Sequence, residues 1–320
     1  MSHELAQRSP NGPVVPALIA DAGDKAARRF FEFFTANIPN ENTRLAYAQA
    51  VGQFLRWAEE RRLTLQTIEP IAVAAYIEQL KARLAAPSVK QHLAAIRMLF
   101  DWLVTGQIIP VNPAASVKAP KHVVRKGKTP VLSAEDARTL LDSIDTSTVV
   151  GLRDRALIGV MVFSFARISA VVGMKVEDYY QNGKRWWLRL HEKGGKFHEV
   201  PAHHNAESYL DAYLEAAGIA ATEKSPLFRS AVGRTGQLTD RPLRRNNALD
   251  MVKRRAMAAG LSKRVCNHTF RATGITAYLQ AGGTIEKAQR IAAHESPKTT
   301  KLYDRTEDQI SLDEIERIAI

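Results

Sequence analysis

The chain has 320 residues, with 45 Lys and Arg against 33 Asp and Glu, for a formal net charge of +12. That length is generous for one hydrophobic core, so two domains are expected, and the charge points to a polyanionic partner. A single cysteine, Cys266, excludes an internal disulfide framework and a cysteine-based zinc site.

No stretch reaches the ~18 uninterrupted apolar residues that a membrane helix needs, and Met1 to Pro16 is polar and proline-bearing, without a signal-peptide run. A soluble, cytoplasmic protein with no membrane partner is expected. Residues 1–24 read as a flexible leader and 25–115 as a nearly all-helical domain. Asn40 or Asn42 can cap a helix carrying Tyr47, Val51, Phe54, Leu55 and Ala58 on one face. Val73, Tyr76, Ile77, Leu80 and Leu84 mark a second helix. Pro87-Ser88 starts a third, with Val89, Leu93, Ile96, Phe100 and Leu103 inward, Lys90, Gln91 and Arg97 outward, and Gly106 as its stop. These stripes predict a small helical core, with function on the polar faces.

Asn112-Pro113 and Pro120 close this domain. Residues 116–130 form a basic linker with Lys118, Lys121, His122, Arg125, Lys126 and Lys128 and no acid, suited to a DNA backbone. The second domain, 131–306, opens at Ser133-Ala134-Glu135-Asp136, a helix start with an acidic first turn. An apolar helix follows from Leu152 to about Phe165. Trp186 to Leu190 and Phe197 to Val200 read as strands of a hairpin turning at Lys193-Gly194-Gly195-Lys196. Helices are expected from Ala206 onward, ending in a tail helix over 307–320 capped by Ser311. From Arg241 to Arg271 nine basic residues face Asp250 alone, which reads as a phosphate-facing surface. The fold class is therefore mainly α with a small β-hairpin or sheet, in two domains.

The chemistry is concentrated near the end of the chain. His268-Thr269-Phe270-Arg271 puts a histidine and an arginine on one helix face. His294 follows, then Tyr303 nine residues later, with Arg167 and Lys193 upstream. Attack on a phosphodiester loads charge onto the non-bridging oxygens, and guanidinium forks such as Arg167 and Arg271 suit that geometry. Tyr303 can form a covalent ester and later leave. Lys193 on a mobile turn can protonate a departing 5′ oxygen, with Lys196 at the other end of the turn as the alternative donor. His268 and His294 complete the donor and acid–base set. No P-loop pattern and no clustered carboxylates occur in this region, so neither ATP nor a metal cofactor is expected. His191, His198, His203 and His204 lack helical metal-ligand spacing.

This order of Arg, hairpin Lys, H-x-x-R, His and Tyr resembles the tyrosine recombinases, the phage-integrase family, over about Asn40 to Tyr303. The resemblance implies a helical core-binding, SAM-like domain before a mixed α/β catalytic domain, closing as a C-shaped clamp on double-stranded DNA. It also implies site-specific recombination through a 3′-phosphotyrosyl intermediate and a Holliday junction, by a homo-tetramer on paired sites. Its catalytic set maps onto Arg167, Lys193, His268, Arg271, His294 and Tyr303. DNA-contact candidates are Arg44, Lys90, Arg97, Lys121, Arg241, Arg244 and Arg245. Ala166, Ala170, Ala272 and Ala293 depart from the family pattern; Ala170 stands where an acid often supports the first arginine. A type IB topoisomerase-like enzyme, a non-catalytic DNA-binding regulator and a metal-dependent nuclease are the competing readings.

Overall fold

The computed structural model describes residues 15–122, 127–192, 197–233, 235–304 and 316. They are mostly helical, with two small antiparallel sheets. The chain divides into two compact units, Met1–Val123 and Val124–Ile320.

The first unit carries α1 (Ala17–Ala20), α2 (Asp24–Ala36), α3 (Glu41–Glu59), α4 (Pro70–Lys81) and α5 (Ala86–Thr105). Of the two cap candidates, Asn40 does the work, accepting from Thr43 N at 3.1 Å. The inward stripes of α3, α4 and α5 meet in an aromatic cluster. The Phe54 ring lies edge-on to Tyr76 at 5.2 Å and to Phe100 at 5.9 Å, and Trp57 donates to Gln79 at 2.7 Å. The leader expected to run to Asp24 ends sooner. Leu18 and Ile19 are buried in this core, and Leu18 N donates to Glu59 at 3.0 Å. The polarity of the first 16 residues does not extend to the apolar turn Ala17–Ala20.

The expected linker is likewise shortened from both ends. Arg97, expected to face outward, is half-buried instead. Its guanidinium donates to Ala114 O at 3.0 Å and to Val117 O, while Ala114 and Val117 pack in the first unit's core. At the far end, Gly127 N donates to Leu302 O at 3.1 Å and Leu132 N to the Thr273 hydroxyl at 3.0 Å. Backbone donors and carbonyls near a core seek partners, and here both ends of the basic stretch find them.

In the second unit, α6 (Ala134–Asp142) follows the expected Ser133 cap, which accepts from Asp136 N at 2.9 Å. Then come α7 (Val149–Phe163) and the short α8 (Ile168–Val172). The apolar helix starts earlier than expected because Thr148 caps it, and it stops at Phe163. Strands β1 (Tyr179–Asn182), β2 (Arg185–His191) and β3 (Phe197–Pro201) form one antiparallel sheet in that order. The expected hairpin is β2 and β3, with His191 paired to Phe197. Its turn, Lys193 to Lys196, lies outside the described residues.

Helix α9 (His204–Ala217) then leads to β4 (Arg229–Ala231) and β5 (Leu238–Pro242), a second hairpin. That corrects the expectation of helix alone beyond Ala206. β4 and β5 are short and only half-buried to exposed, so neither shows the apolar alternation by which strands are read. Last come α10 (Arg245–Ala258), α11 (Asn267–Gln280), α12 (Ile285–Ile291) and α13 (Pro297–Lys301). The tail helix expected over 307–320 lies outside the described residues, apart from the exposed Glu316.

Helix α11 runs through the middle of this unit, with every residue from Thr269 to Thr276 buried. It lies close against α7 because residue 274 is glycine; a Cβ there would collide with Val162 O and the Phe165 ring.

Candidate active site

Arg271 projects from the buried stretch of α11 and is itself only 1% exposed. Its guanidinium donates to Phe165 O, just past the end of α7, and to Ala292 O at 2.6 Å, at the end of α12. Carbonyls at helix C-termini lack intrahelical partners and carry partial negative charge, so a cation is the natural cap. Both turns that present them contain a non-glycine residue at positive φ: Phe165 at 55° and Ala293 at 47°. Such strain costs about 1–3 kcal/mol each and persists where the surroundings over-determine it. Here the Phe165 ring packs with Ile275, Leu279, Ala288 and Ala292. Burial pulls the Arg271 pKa down to about 10, and the Arg167 charge pulls the same way. The Tyr303 and Glu192 side chains act in the opposite sense.

His294 is buried beside this cation, with Nδ1 at 2.8 Å from the Thr300 hydroxyl. Its ring stacks near-parallel on Tyr303, centroids 5.8 Å apart. Burial, then Arg271 and Arg167, push its pKa down to about 3, so the ring is neutral. When Thr300 donates to Nδ1, the ring proton sits on Nε2, where it is a hydrogen-bond donor. His268 is shifted down for the same reasons in the same order, although the residue as a whole is exposed.

Tyr303 follows α13 directly. Its backbone is held from both sides: Tyr303 N donates to Thr300 O at 2.9 Å, and the Thr276 hydroxyl donates to Tyr303 O at 2.9 Å. Arg167 caps the start of α8 and pairs with Glu192 at 2.6 Å. Four of the six expected catalytic residues, Arg167, Arg271, His294 and Tyr303, are therefore linked by contact or by mutual charge, and His268 feels both arginines. Lys193, like its alternative Lys196, falls outside the described residues; its root strands β2 and β3 do not.

Three participants escaped the sequence reading. Thr276 and Thr300 look like ordinary helix residues until the carbonyl and imidazole they meet are known. Glu192 adjoins Lys193, but nothing in the sequence pairs it with Arg167. The four hairpin and loop histidines make other contacts: His191 pairs with Asp178 at 2.9 Å, His198 with Ile291 O at 2.8 Å, and His203 stacks on Phe163 at 4.1 Å and lies against His204 at 4.1 Å. Among the described residues, no group of three or more His, Cys, Asp or Glu is placed to hold a metal.

The DNA-contact candidates separate in the same way. Lys90, Lys121, Arg241, Arg244 and Arg245 are exposed. Arg44 is half-buried and donates to Ile38 O at 3.1 Å, and Arg97 is committed to the carbonyls described above. The basic run from Arg241 to Arg271 is not one surface, since Arg271 is buried and Arg255 pairs with Asp154 at 2.9 Å.

Residues 130–309 match the Phage integrase family and residues 27–107 the phage integrase N-terminal SAM-like domain. The chain belongs to the phage integrase family of tyrosine recombinases. It is 31% identical over 255 residues to the tyrosine recombinase XerC of Myxococcus xanthus, covering 78% of this chain and 82% of that one. Its fold is that of the XerH site-specific recombinase in a post-cleavage complex with palindromic difH substrate. The TM-score is 0.70 at 20% identity, over 95% of this chain and 91% of that one. A lambda integrase tetramer bound to a Holliday junction is similar at TM-score 0.66 and 18% identity, over 93% and 84% of the two chains. The recombinase is thus an enzyme of DNA strand cleavage and rejoining, with a helical SAM-like domain before a mixed catalytic domain. The non-catalytic and topoisomerase-like readings are not favoured. None of its described helices is long and apolar enough to cross a membrane.

Proposed function

We propose that the recombinase cuts and rejoins DNA through Tyr303. The observation that carries this reading is the buried Arg271, which feels both the Tyr303 phenol and the charge of Arg167, with the Tyr303 ring stacked on His294. A phosphate bound across the two guanidiniums lies in reach of that phenol. The Tyr303 oxygen forms a bond to phosphorus as the bond from phosphorus to the 5′ oxygen breaks. The electron pair leaves on that oxygen, and Lys193 supplies its proton. The phenolic proton passes to His268, whose lowered pKa keeps it a neutral base. Neutral His294 donates from Nε2 to a non-bridging oxygen, alongside the arginines. Attack by the free 5′ hydroxyl of a partner strand reverses the step and releases Tyr303. Because the bond energy is kept in the 3′-phosphotyrosine, these steps call on neither ATP nor a divalent ion.

Two such exchanges make and resolve a Holliday junction, which requires a homo-tetramer on paired inverted half-sites. In this reading residues 25–115 grip double-stranded DNA, with Lys90 facing the backbone, Lys121 doing so from the basic linker of 116–130, and Arg241, Arg244 and Arg245 from the catalytic unit of 131–306. The 307–320 tail docks on a neighbouring subunit. A DNA substrate supports a cytoplasmic location. The test is capture on fragmented genomic DNA from the source organism, in the presence of chelator. A detergent-stable protein–DNA adduct is expected, with a nucleotide remnant on Tyr303 in the digested peptide. A remnant on another residue would move the nucleophile.

A further inference from the structure

Glu192 is the first residue past β2. Side chains alternate along a strand, and Leu188 and Leu190 are the core-facing residues of β2. Glu192 continues that row. Its side chain is accordingly only 9% exposed, a costly position for a carboxylate without a cationic partner. The partner is Arg167, whose NH1 meets Glu192 Oε2 at 2.6 Å. The contact uses one nitrogen and one oxygen, and the Arg167 side chain stays 37% exposed. The carboxylate is therefore the buried partner of the pair, while much of the Arg167 side chain stays open to solvent.

The charge environment gives this contact a purpose. Arg167 and Arg271 repel each other, and Glu192 acts on Arg271 in the opposite sense. One turn into α8, where a carboxylate could have oriented Arg167 from its own helix, residue 170 is a buried alanine. We infer that Glu192 is a positioning residue for cleavage: it orients the Arg167 guanidinium toward the phosphate and holds the two arginines together before DNA arrives. Adjoining Lys193 in the chain, it also ties the root of the lysine turn to the same arginine. The opposite role, a plug that occupies Arg167 until DNA displaces it, fits less well. A plug that DNA displaces would be open to solvent, and this carboxylate is buried.

The inference rests on Arg167 acting at the phosphate, so the two are tested side by side. The DNA is a nicked suicide duplex carrying a site recovered by the capture above. Adduct formation is timed in single turnover at saturating protein for wild type, Glu192→Gln, Arg167→Lys and the double variant, with affinity measured by gel shift. Glu192→Gln keeps the shape and is expected to slow adduct formation by at least about fivefold, within the usual range for coupled neighbours. Affinity for the duplex and the thermal midpoint should hold. In the Arg167→Lys background the same change should add no further loss.

Unchanged adduct formation by Glu192→Gln overturns the inference, and faster adduct formation identifies the plug. A loss that is as large in the Arg167→Lys background, or that tracks a falling thermal midpoint, makes Glu192 merely structural and also overturns it. If Glu192→Gln prevents DNA binding, Glu192 is a binding residue and the positioning role falls. Arg167→Lys cleaving at the wild-type rate refutes the placement of Arg167 itself, a separate result.

Discussion

Arg153 and Arg271 lie on adjacent helices, α7 and α11, and both are almost wholly buried, at 3% and 1% exposure. Arg153 is answered by a carboxylate. Asp154 Oδ1 accepts from it at 2.6 Å, and Asp154 Oδ2 accepts from Arg255 at 2.9 Å. The remaining Arg153 nitrogen donates to Arg229 O at 2.8 Å. Arg271 meets two backbone carbonyls, with Arg167 pressing on it and Tyr303 and Glu192 acting in the opposite sense. One cation is closed on itself and serves the fold. The other has its hydrogen bonds but not its charge, and gains most from an incoming anion. In the proposed mechanism the same residue type at similar depth thus divides into structure and chemistry by what accepts its protons.

The sharpest separation comes from Tyr303→Phe. The ring still stacks on His294 and the backbone contacts survive, so site binding should be retained while covalent adducts on a nicked duplex vanish. Arg271→Ala should cut adduct formation by roughly a hundred- to a thousandfold, the usual loss for a charge-stabilising donor. It should also cost some stability, since Phe165 O and Ala292 O lose their donor. A rate within about threefold of wild type, far from that loss, would place Arg271 with Arg153 as a structural cation.

Asp154→Asn tests the other half of the comparison. Breaking a buried ion network from one side typically costs about 3–5 kcal/mol, read as a large fall in the denaturation midpoint. At low temperature, where the variant is still folded, adduct formation per folded molecule should stay near wild type. A selective loss of cleavage with stability intact would erase the distinction between the two arginines.

Acid should destabilise the fold around His294. His294 is held neutral with its pKa near 3, while an unfolded histidine takes its proton near 6.5. The unfolded chain therefore binds more protons between those values. Stability from this group is complete above about pH 6.5 and is lost as pH falls toward 3. His268, His203 and His92 are shifted the same way. Thermal midpoints measured from pH 7.5 to 4.5, an arbitrary window of roughly ordinary working pH, should fall with acid, and His294→Gln should flatten the fall.

Much of this was legible beforehand because it lay in spacing. The three-residue interval between His268 and Arg271, the Asn40 and Ser133 caps, and the apolar stripes of α3 to α5 are local signals that the backbone repeats faithfully. What escaped depends on contact across the chain. Arg97 reads as outward on its helix, but its partners Ala114 and Val117 follow 17 and 20 residues later. Glu192 and Arg167 are 25 residues apart, and Thr276 and Tyr303 are 27. The β4–β5 hairpin has no apolar alternation to betray it. Helix periodicity also cannot tell Arg271 from Arg255, since both read as members of one basic run.

The gentlest expected effect concerns how α11 holds Tyr303, the proposed nucleophile. The helix that carries His268 and Arg271 also presents Thr273, which receives Leu132 N, and Thr276, which binds the carbonyl of Tyr303 itself. Thr276 is nearly buried, so its hydroxyl has no obvious alternative partner in solvent. Thr276→Val keeps the shape and removes one hydrogen bond, worth about 0.5–1.5 kcal/mol. If that bond fixes the tyrosine relative to Arg271, the loss should appear as a roughly two- to tenfold slower adduct formation at saturating DNA. Affinity should be unchanged, and Thr276→Ser should restore the rate. Thr273→Val removes a similar bond one turn away but touches the incoming chain rather than the nucleophile. It should lower stability by a comparable amount and leave the rate alone. Equal effects of the two valines on cleavage would mean that α11 acts only as a rigid prop.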